Sequence, residues 1–125
     1  MGPEKLAKTA VAALEDIKAR DIVVLNVKKM TALFDKVIIA CGDSNRQVRA
    51  LANNVCEEVK KGGGKVYGTE GEQTGEWILV DLGAVVVHVM HPAIRQYYNL
   101  EEMWAPATKP RARKTAAAKK APSAA

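Results

Sequence analysis

The chain has 125 residues, 48% of them hydrophobic, and a formal net charge of +5. This length allows one domain, and this apolar fraction suits an ordinary globular core. No apolar run approaches the roughly 20 residues that a membrane-spanning helix needs, so we predict no membrane span. The first ten residues, MGPEKLAKTA, contain no apolar signal region. We therefore expect no export and a cytoplasmic protein.

The excess of positive over negative charge lies at the C-terminal end. After Ala105 there are six basic residues and no acidic one, which leaves 13 Lys and Arg against 14 Asp and Glu elsewhere. The six are Lys109, Arg111, Arg113, Lys114, Lys119 and Lys120. We interpret residues 1–104 as the domain and residues 105–125 as a disordered basic tail rich in Ala, Lys and Pro. The domain itself has no basic surplus for nucleic acid.

Elements of the first half follow apolar periodicity. Pro3 suits a first helical position, and an apolar residue at every third or fourth place predicts a helix over residues 3–20. Runs rich in β-branched residues predict strands over 22–27 and 33–41. The junction CGDSNRQV then predicts a helix, with Ser44 as its cap and Gln47 completing a capping box. Three consecutive glycines, 62–64, end this helix.

The second half predicts three more strands. We expect a short strand over residues 65–68, a glycine-rich loop over 69–76, and a hairpin of strands 77–81 and 84–90. Pro92 opens a last helix that ends near Trp104. The order predicts an α/β domain, a five-stranded mixed sheet flanked by helices. The strands on either side of the Ser44 helix should run parallel, with a right-handed connection, and the last two strands antiparallel.

Catalytic and ligand motifs are weak in this sequence. Gly42 and Ser44 open a helix as phosphate-binding turns do, but Asp43 would repel a phosphate and no P-loop lysine follows. Metal-dependent nucleotidyl transfer needs two carboxylates two residues apart on a strand. Here Leu79 and Gly83 flank the single acid Asp81. A nucleotide-binding or nucleotidyltransferase-type enzyme remains the alternative hypothesis.

Cysteines and histidines do not form a ligand pattern either. Cys41 and Cys56 have no metal-binding spacing to His88 or His91. We expect two reduced, buried thiols, no metal site and no cofactor. His88 interrupts a valine run, where a histidine is more often a hydrogen-bonded core residue than a ligand or catalyst.

A protein-binding face is the third hypothesis. Aromatic residues are few, yet four of them fall in the last third of the domain, surrounded in sequence by acids. The aromatics are Trp77, Tyr97, Tyr98 and Trp104, and the acids are Glu70, Glu72, Glu76, Asp81, Glu101 and Glu102. Trp and Tyr are common anchors of interfaces, and acids complement a basic partner. The alternative is that both tryptophans only fill the core.

Several motifs together resemble the ribosomal silencing factor family, also called Iojap-related proteins. They are GDSNRQV from Gly42, EGE from Glu70, WILVDLG from Trp77, VVVHVM from Val85, and Tyr98, Leu100, Glu101 and Trp104. The resemblance runs from about Leu6 to Trp104. It implies a nucleotidyltransferase-like fold without catalytic carboxylates, in a protein that is not an enzyme.

The same resemblance implies a function. Family members bind the large ribosomal subunit through ribosomal protein L-fourteen, block joining of the small subunit, and repress translation when nutrients are short. They are homodimers when free. Carried over to this chain, the contact face comprises Trp77, Asp81, His88, Tyr98, Leu100 and Glu101. Two departures are Ala84, where relatives often carry an acid, and Asn26, which replaces a common Asp. To the tail we assign only non-specific attraction to ribosomal RNA.

Overall fold

The computed structural model describes residues 1–98, and the side chains of residues 1–95. A mixed sheet with strand order β1-β2-β5-β4-β3 organises this part. Strands β2 and β5 are parallel, and every other neighbouring pair is antiparallel. The elements are α1 (Pro3–Asp16), β1 (Arg20–Asn26), β2 (Lys36–Cys41), α2 (Asn45–Lys61), β3 (Gly68–Glu70), β4 (Trp77–Asp81), β5 (Val85–Met90) and α3 (Pro92–Tyr98). The predicted α/β fold with a five-stranded mixed sheet is confirmed.

Some predicted boundaries are wrong. Helix α1 ends at Asp16 instead of Arg20, because Lys18 takes φ +63 and the Ala19 N–H bonds back to the Leu14 carbonyl. Strand β2 begins at Lys36 instead of Leu33, whose side chain is 80% exposed. Local composition did not determine the start of β2, since hydrogen bonds to distant strands define where a ladder begins.

The third strand is also displaced from its predicted place. It lies at Gly68–Glu70, not at residues 65–68, so it takes in part of the predicted loop. The register with β4 explains the difference, because Thr69 faces Val80 and Glu70 faces Leu79. Strands β2 and β3 do run in the same direction around α2, as predicted, but β5 and β4 lie between them.

The start of α2 follows the predicted cap. The Gln47 N–H donates to Ser44 Oγ at 3.1 Å, and the Gln47 side chain accepts from the Asp43 N–H at 2.6 Å. The second bond reaches one residue further back than in the usual capping box. The Gln47 amide also donates to the carbonyls of Ile17 and Lys18. One side chain thus caps α2 and satisfies acceptors at the end of α1.

The two faces of the sheet are covered differently. Helices α1 and α2 cover one face, and their apolar residues form a large buried cluster with alternate residues of β2, β4 and β5. On the other face, Val27, Val37, Ile39 and Met90 form a smaller buried cluster, against which Leu25, Phe34, Trp77 and Ile94 pack. We call the side of the sheet that α1 and α2 cover the helix face.

Within residues 1–98, no helix is long and apolar enough to cross a membrane.

Candidate partner-binding face

Strand pairing brings three of the predicted contact residues onto one face. In β4 and β5, Leu79 lies opposite His88 and Asp81 opposite Val86. Residues opposite each other share a face, as do alternate residues of one strand. Trp77, Asp81 and His88 therefore lie on the same side of the sheet, away from α1 and α2. We call this surface the open face; its members are Glu70, Trp77, Leu79, Asp81, Val86 and His88.

The other three predicted contact residues cannot be placed on this face. Tyr98 is the last described residue of α3, and its side chain lies outside the described part. Leu100 and Glu101 lie outside the described residues. Their place in the contact face stays a prediction.

The open face is graded from covered to exposed. Val86 is buried, Trp77, Leu79 and His88 are half-buried, and Glu70 and Asp81 are exposed. An apolar centre beside exposed acids is the usual arrangement of a protein-binding patch. In the sequence, Leu79 stands where nucleotidyl transfer would need a second carboxylate, and it is not among the predicted contact residues. Its alternation with Trp77 and Asp81 is the signal that assigns it to this face.

Trp77 and His88 are joined by a hydrogen bond. The indole Nε1–H of Trp77 donates to Nδ1 of His88 at 3.0 Å, and the two ring centroids are 5.9 Å apart. Burial lowers the pKa of His88 from 6.5 to about 4, because the charged ring would lose its hydration. At neutral pH His88 is therefore a neutral acceptor for the indole.

Trp77 lies at the edge of the core and is partly exposed. Its ring packs against the buried cluster that includes Met90, which lies directly opposite it on β5. It also keeps part of its surface at the open face. Packing in the core and partial exposure are thus compatible in Trp77, and its contact with a partner stays a prediction.

Asp81 has a structural bond of its own. Its Oδ1 accepts from the Gly83 N–H at 2.8 Å and holds the tight turn, in which Gly83 takes φ +88. The carboxylate remains exposed. Asp81 therefore stabilises the turn and still carries its negative charge to the surface.

The loop between β3 and β4 is strapped to α2. Arg49 donates through Nε to the Glu72 carbonyl at 3.0 Å and through Nη2 to the Gln73 carbonyl at 2.8 Å. Asn45 donates to the Thr74 carbonyl at 3.1 Å. These bonds fix the loop segment that precedes Trp77 and contains the exposed acids Glu72 and Glu76. Neither Arg49 nor Asn45 was found from the sequence, because their partners lie more than 20 residues away.

Gly71 is required in the same loop. It takes φ +89, and a Cβ at this position would lie 2.1 Å from the Trp77 carbonyl oxygen. Any side chain here would push the loop away from β4. The glycine of the EGE motif therefore sets the approach of the chain to Trp77.

The Gly42–Ser44 turn does not form an open anion site. The Asp43 N–H is bonded to Gln47, the Gln47 N–H to Ser44, and the Asp43 carboxylate to Arg20. Two of the N–H groups that a phosphate could use, those of Asp43 and Gln47, are thus already bonded within the protein. Across residues 1–98, no group of three or more His, Cys, Asp or Glu side chains could hold a metal ion.

The two thiols differ from each other. Cys41 is buried and accepts from Arg95 Nη1 at 3.3 Å, whereas Cys56 is only half-buried, which corrects the expectation of two buried thiols. Both are free of disulfides. Burial raises the pKa of the Cys56 thiol, which favours the unreactive protonated form over the nucleophilic thiolate.

Comparison with known proteins identifies the family. The family model described as "Ribosomal silencing factor during starvation" matches residues 2–125. The chain belongs to the ribosomal silencing factor family. It is 54% identical, over 101 residues, to a ribosomal silencing factor of Chromobacterium violaceum, covering 81% of this chain and 83% of that protein. The family predicted from the motifs is confirmed.

Two further relatives extend the comparison within and beyond bacteria. A crystal structure of a Chromobacterium violaceum protein matches with a TM-score of 0.82 at 53% identity, covering 83% of this chain and 87% of that one. A mouse protein named "Mitochondrial assembly of ribosomal large subunit protein 1" is 31% identical over 97 residues, which are 75% of this chain and 42% of the mouse protein. The matched segment is thus less than half of that longer mouse protein.

Proposed function

We propose that this protein binds the large ribosomal subunit through ribosomal protein L-fourteen, sterically blocks joining of the small subunit, and thereby represses translation under nutrient limitation. Membership of the silencing factor family supports a role in translation. The name of the mouse relative points to the large subunit as the partner. The choice of L-fourteen within that subunit follows the family resemblance.

The observation that carries the proposal is the open face. Trp77, Leu79 and His88 keep apolar surface partly exposed on the side of the sheet that α1 and α2 leave uncovered. A partly exposed tryptophan held in place by a hydrogen bond is a pre-organised anchor. Such a patch gains binding free energy when a partner excludes water from it.

The charges near this face favour a basic partner. Glu70 and Asp81 are exposed on the face, and Glu72 and Glu76 are exposed on the strapped loop beside Trp77. Ribosomal proteins are typically basic, so these acids would speed encounter and fix orientation. This role suits a domain without the basic surface that direct RNA binding needs.

Inhibition follows from volume alone. A compact domain of about 100 residues has a radius of gyration of about 13 Å. A body of that size, bound where the subunits meet, would hold them apart without any chemical step. The protein therefore needs neither catalysis nor a cofactor for this function.

Three accessory properties belong to the same proposal. The basic residues 105–125 add non-specific attraction to ribosomal RNA, which weakens as salt rises. The free protein is a homodimer, and it acts in the cytoplasm. These statements rest on the tail composition and on the family resemblance.

The first test is co-sedimentation of the full chain with purified large or small subunits, followed by addition of small subunits last. We expect pelleting with the large subunit and a loss of joined ribosomes. A normal rate of subunit joining at saturating protein would refute the proposal. Detectable magnesium-dependent nucleotide turnover would instead support the enzymatic alternative.

A matched pair of variants tests the face itself. Asp81→Asn removes the charge but keeps the oxygen that accepts from Gly83, and we expect binding to weaken by about threefold. Glu57→Gln removes an exposed charge from α2 and should leave binding unchanged.

Trp77→Ala should cost about 2 kcal/mol of binding or more, beyond any loss of stability measured in parallel by denaturant unfolding. Equal binding of all three would remove the open face from the contact.

A further inference from the structure

The bond between Trp77 and His88 constrains what each ring can offer a partner. Tryptophan has a single hydrogen-bond donor, Nε1–H, and here His88 Nδ1 accepts from it at 3.0 Å. Trp77 therefore presents its ring surface to a partner, because its donor is already used within the protein.

The same bond fixes the tautomer of His88. A neutral imidazole has one protonated nitrogen, and a nitrogen that accepts a hydrogen bond is the unprotonated one. Nδ1 accepts from the indole, so Nε2 carries the proton. Among residues 1–95, no side chain or backbone group accepts a hydrogen bond from this Nε2–H.

Nε2 belongs to a side chain that lies on the open face. The His88 side chain lies opposite Leu79 on the side of the sheet away from α1 and α2, and it is half-buried. Within an imidazole ring, Nε2 is further from Cβ than Nδ1 is. The unused donor therefore lies on the outer edge of the ring.

We propose that His88 donates a hydrogen bond from Nε2–H to a backbone carbonyl of the bound protein, while Trp77 holds the imidazole in this tautomer and contributes only its ring. This inference rests on the proposed function and adds a specific contact to it. A buried interface cannot leave such a donor unpaired without a penalty, so the partner must supply an acceptor.

The surrounding charges decide between the two common oxygen acceptors. Glu70 and Asp81 are exposed on the same face, and Glu70 lies directly opposite Leu79, the residue that also pairs with His88. A carboxylate on the partner would be repelled by these acids. A neutral carbonyl within a basic segment would not, and a basic side chain of that segment could stack on the indole.

Nuclear magnetic resonance of the free, full-length, nitrogen-15-labelled protein tests the tautomer. At pH 7 we expect His88 to show a protonated Nε2 and an unprotonated Nδ1, and we expect the Trp77 indole proton to exchange slowly. Trp77→Phe assigns the indole signal and removes the donor. A protonated Nδ1, or a ring protonated at both nitrogens, would overturn the inference without any binding measurement.

Two substitutions separate the inner role of His88 from the outer one. His88→Asn places an amide oxygen near the position of Nδ1 and can still accept from Trp77, but it has no donor at the outer position. His88→Gln places an amide nitrogen near the position of Nε2 and keeps the outer donor. Binding to purified large subunits is measured by co-sedimentation, and stability by denaturant unfolding.

The inference predicts that His88→Asn raises the Kd about tenfold, whereas His88→Gln stays within about threefold of the wild type. A purely structural histidine predicts the reverse order, and that result would overturn the inference. So would wild-type affinity in both variants, or equal losses that parallel their stability. If the wild type itself fails to pellet, the proposed function falls, and the contact with it.

Discussion

The two faces of the sheet use the same strands for different purposes. On the helix face, Ile78 and Val80 of β4 are buried in an apolar cluster beneath α1 and α2. Their neighbours Leu79 and Asp81 point to the open face, where one is half-buried and the other exposed. Alternate residues of one strand thus either stabilise the buried core or form the exposed surface.

Polar side chains of the central strands are also distributed unequally between the two faces. Among the described residues, no polar or charged side chain is fully buried. The polar residue inside the valine-rich β5 is His88, and it faces the open side, bonded to Trp77. The helix face tolerates only apolar groups because each buried polar atom would need a partner there. The open face can hold polar groups because it is only partly covered.

The largest expected effect tests this division directly. Ile78→Ala should lower the free energy of unfolding by about 3–4 kcal/mol, because it opens a cavity in the buried cluster. Leu79→Ala should cost only about 1 kcal/mol, since that side chain is already partly in water. Denaturant unfolding of both variants gives the comparison. Equal losses would show that the open face is part of the core.

A pH titration of stability tests the polar pair on the open face. The pKa of His88 is lowered from 6.5 to about 4, so the ring is neutral in both folded and unfolded chains above pH 6.5. Between pH 6.5 and 4 the unfolded chain takes up a proton that the folded chain does not. The free energy of unfolding should therefore fall by about 2.5 kcal/mol as pH falls through this range.

Many carboxylates also titrate in acid, so the wild type is compared with His88→Asn at each pH. We expect the stability difference between the two proteins to shrink by that amount from pH 7 to pH 4. A difference that stays constant would mean that His88 keeps its ordinary pKa and is not desolvated in the fold.

The smallest effect concerns the hydrogen bonds by which Arg49 holds the loop between β3 and β4 to α2. Arg49→Lys should cost about 1 kcal/mol, because one ammonium group cannot bond the Glu72 and Gln73 carbonyls in the geometry of the guanidinium. Amide hydrogen exchange should quicken in residues 71–76. Arg46→Lys, an exposed change on the same helix, should alter neither quantity. Unchanged exchange in Arg49→Lys would show that the loop is held by other contacts.

Local patterns predicted much of this molecule correctly. The hairpin around Gly83, the cap at Ser44 and the helix start at Pro3 all depend on interactions within four residues, which a sequence displays directly. The predicted bounds of β2 and β3 were wrong because distant partners determine them, and the predicted end of α1 was wrong because the residue type of Lys18 does not indicate its positive φ. The strap by Arg49 was missed for the same reason.

The sequence by itself determined the class of fold, the family, and the presence of Trp77, Asp81 and His88 as polar or aromatic exceptions in apolar strands. Only the tertiary structure decided that His88 shares the face of Trp77 and Asp81, that Trp77 donates to His88, and that Asp81 holds the turn beside it. The reason is physical. Composition and periodicity record which residues avoid water, whereas the register of β4 against β5 decides which of them meet.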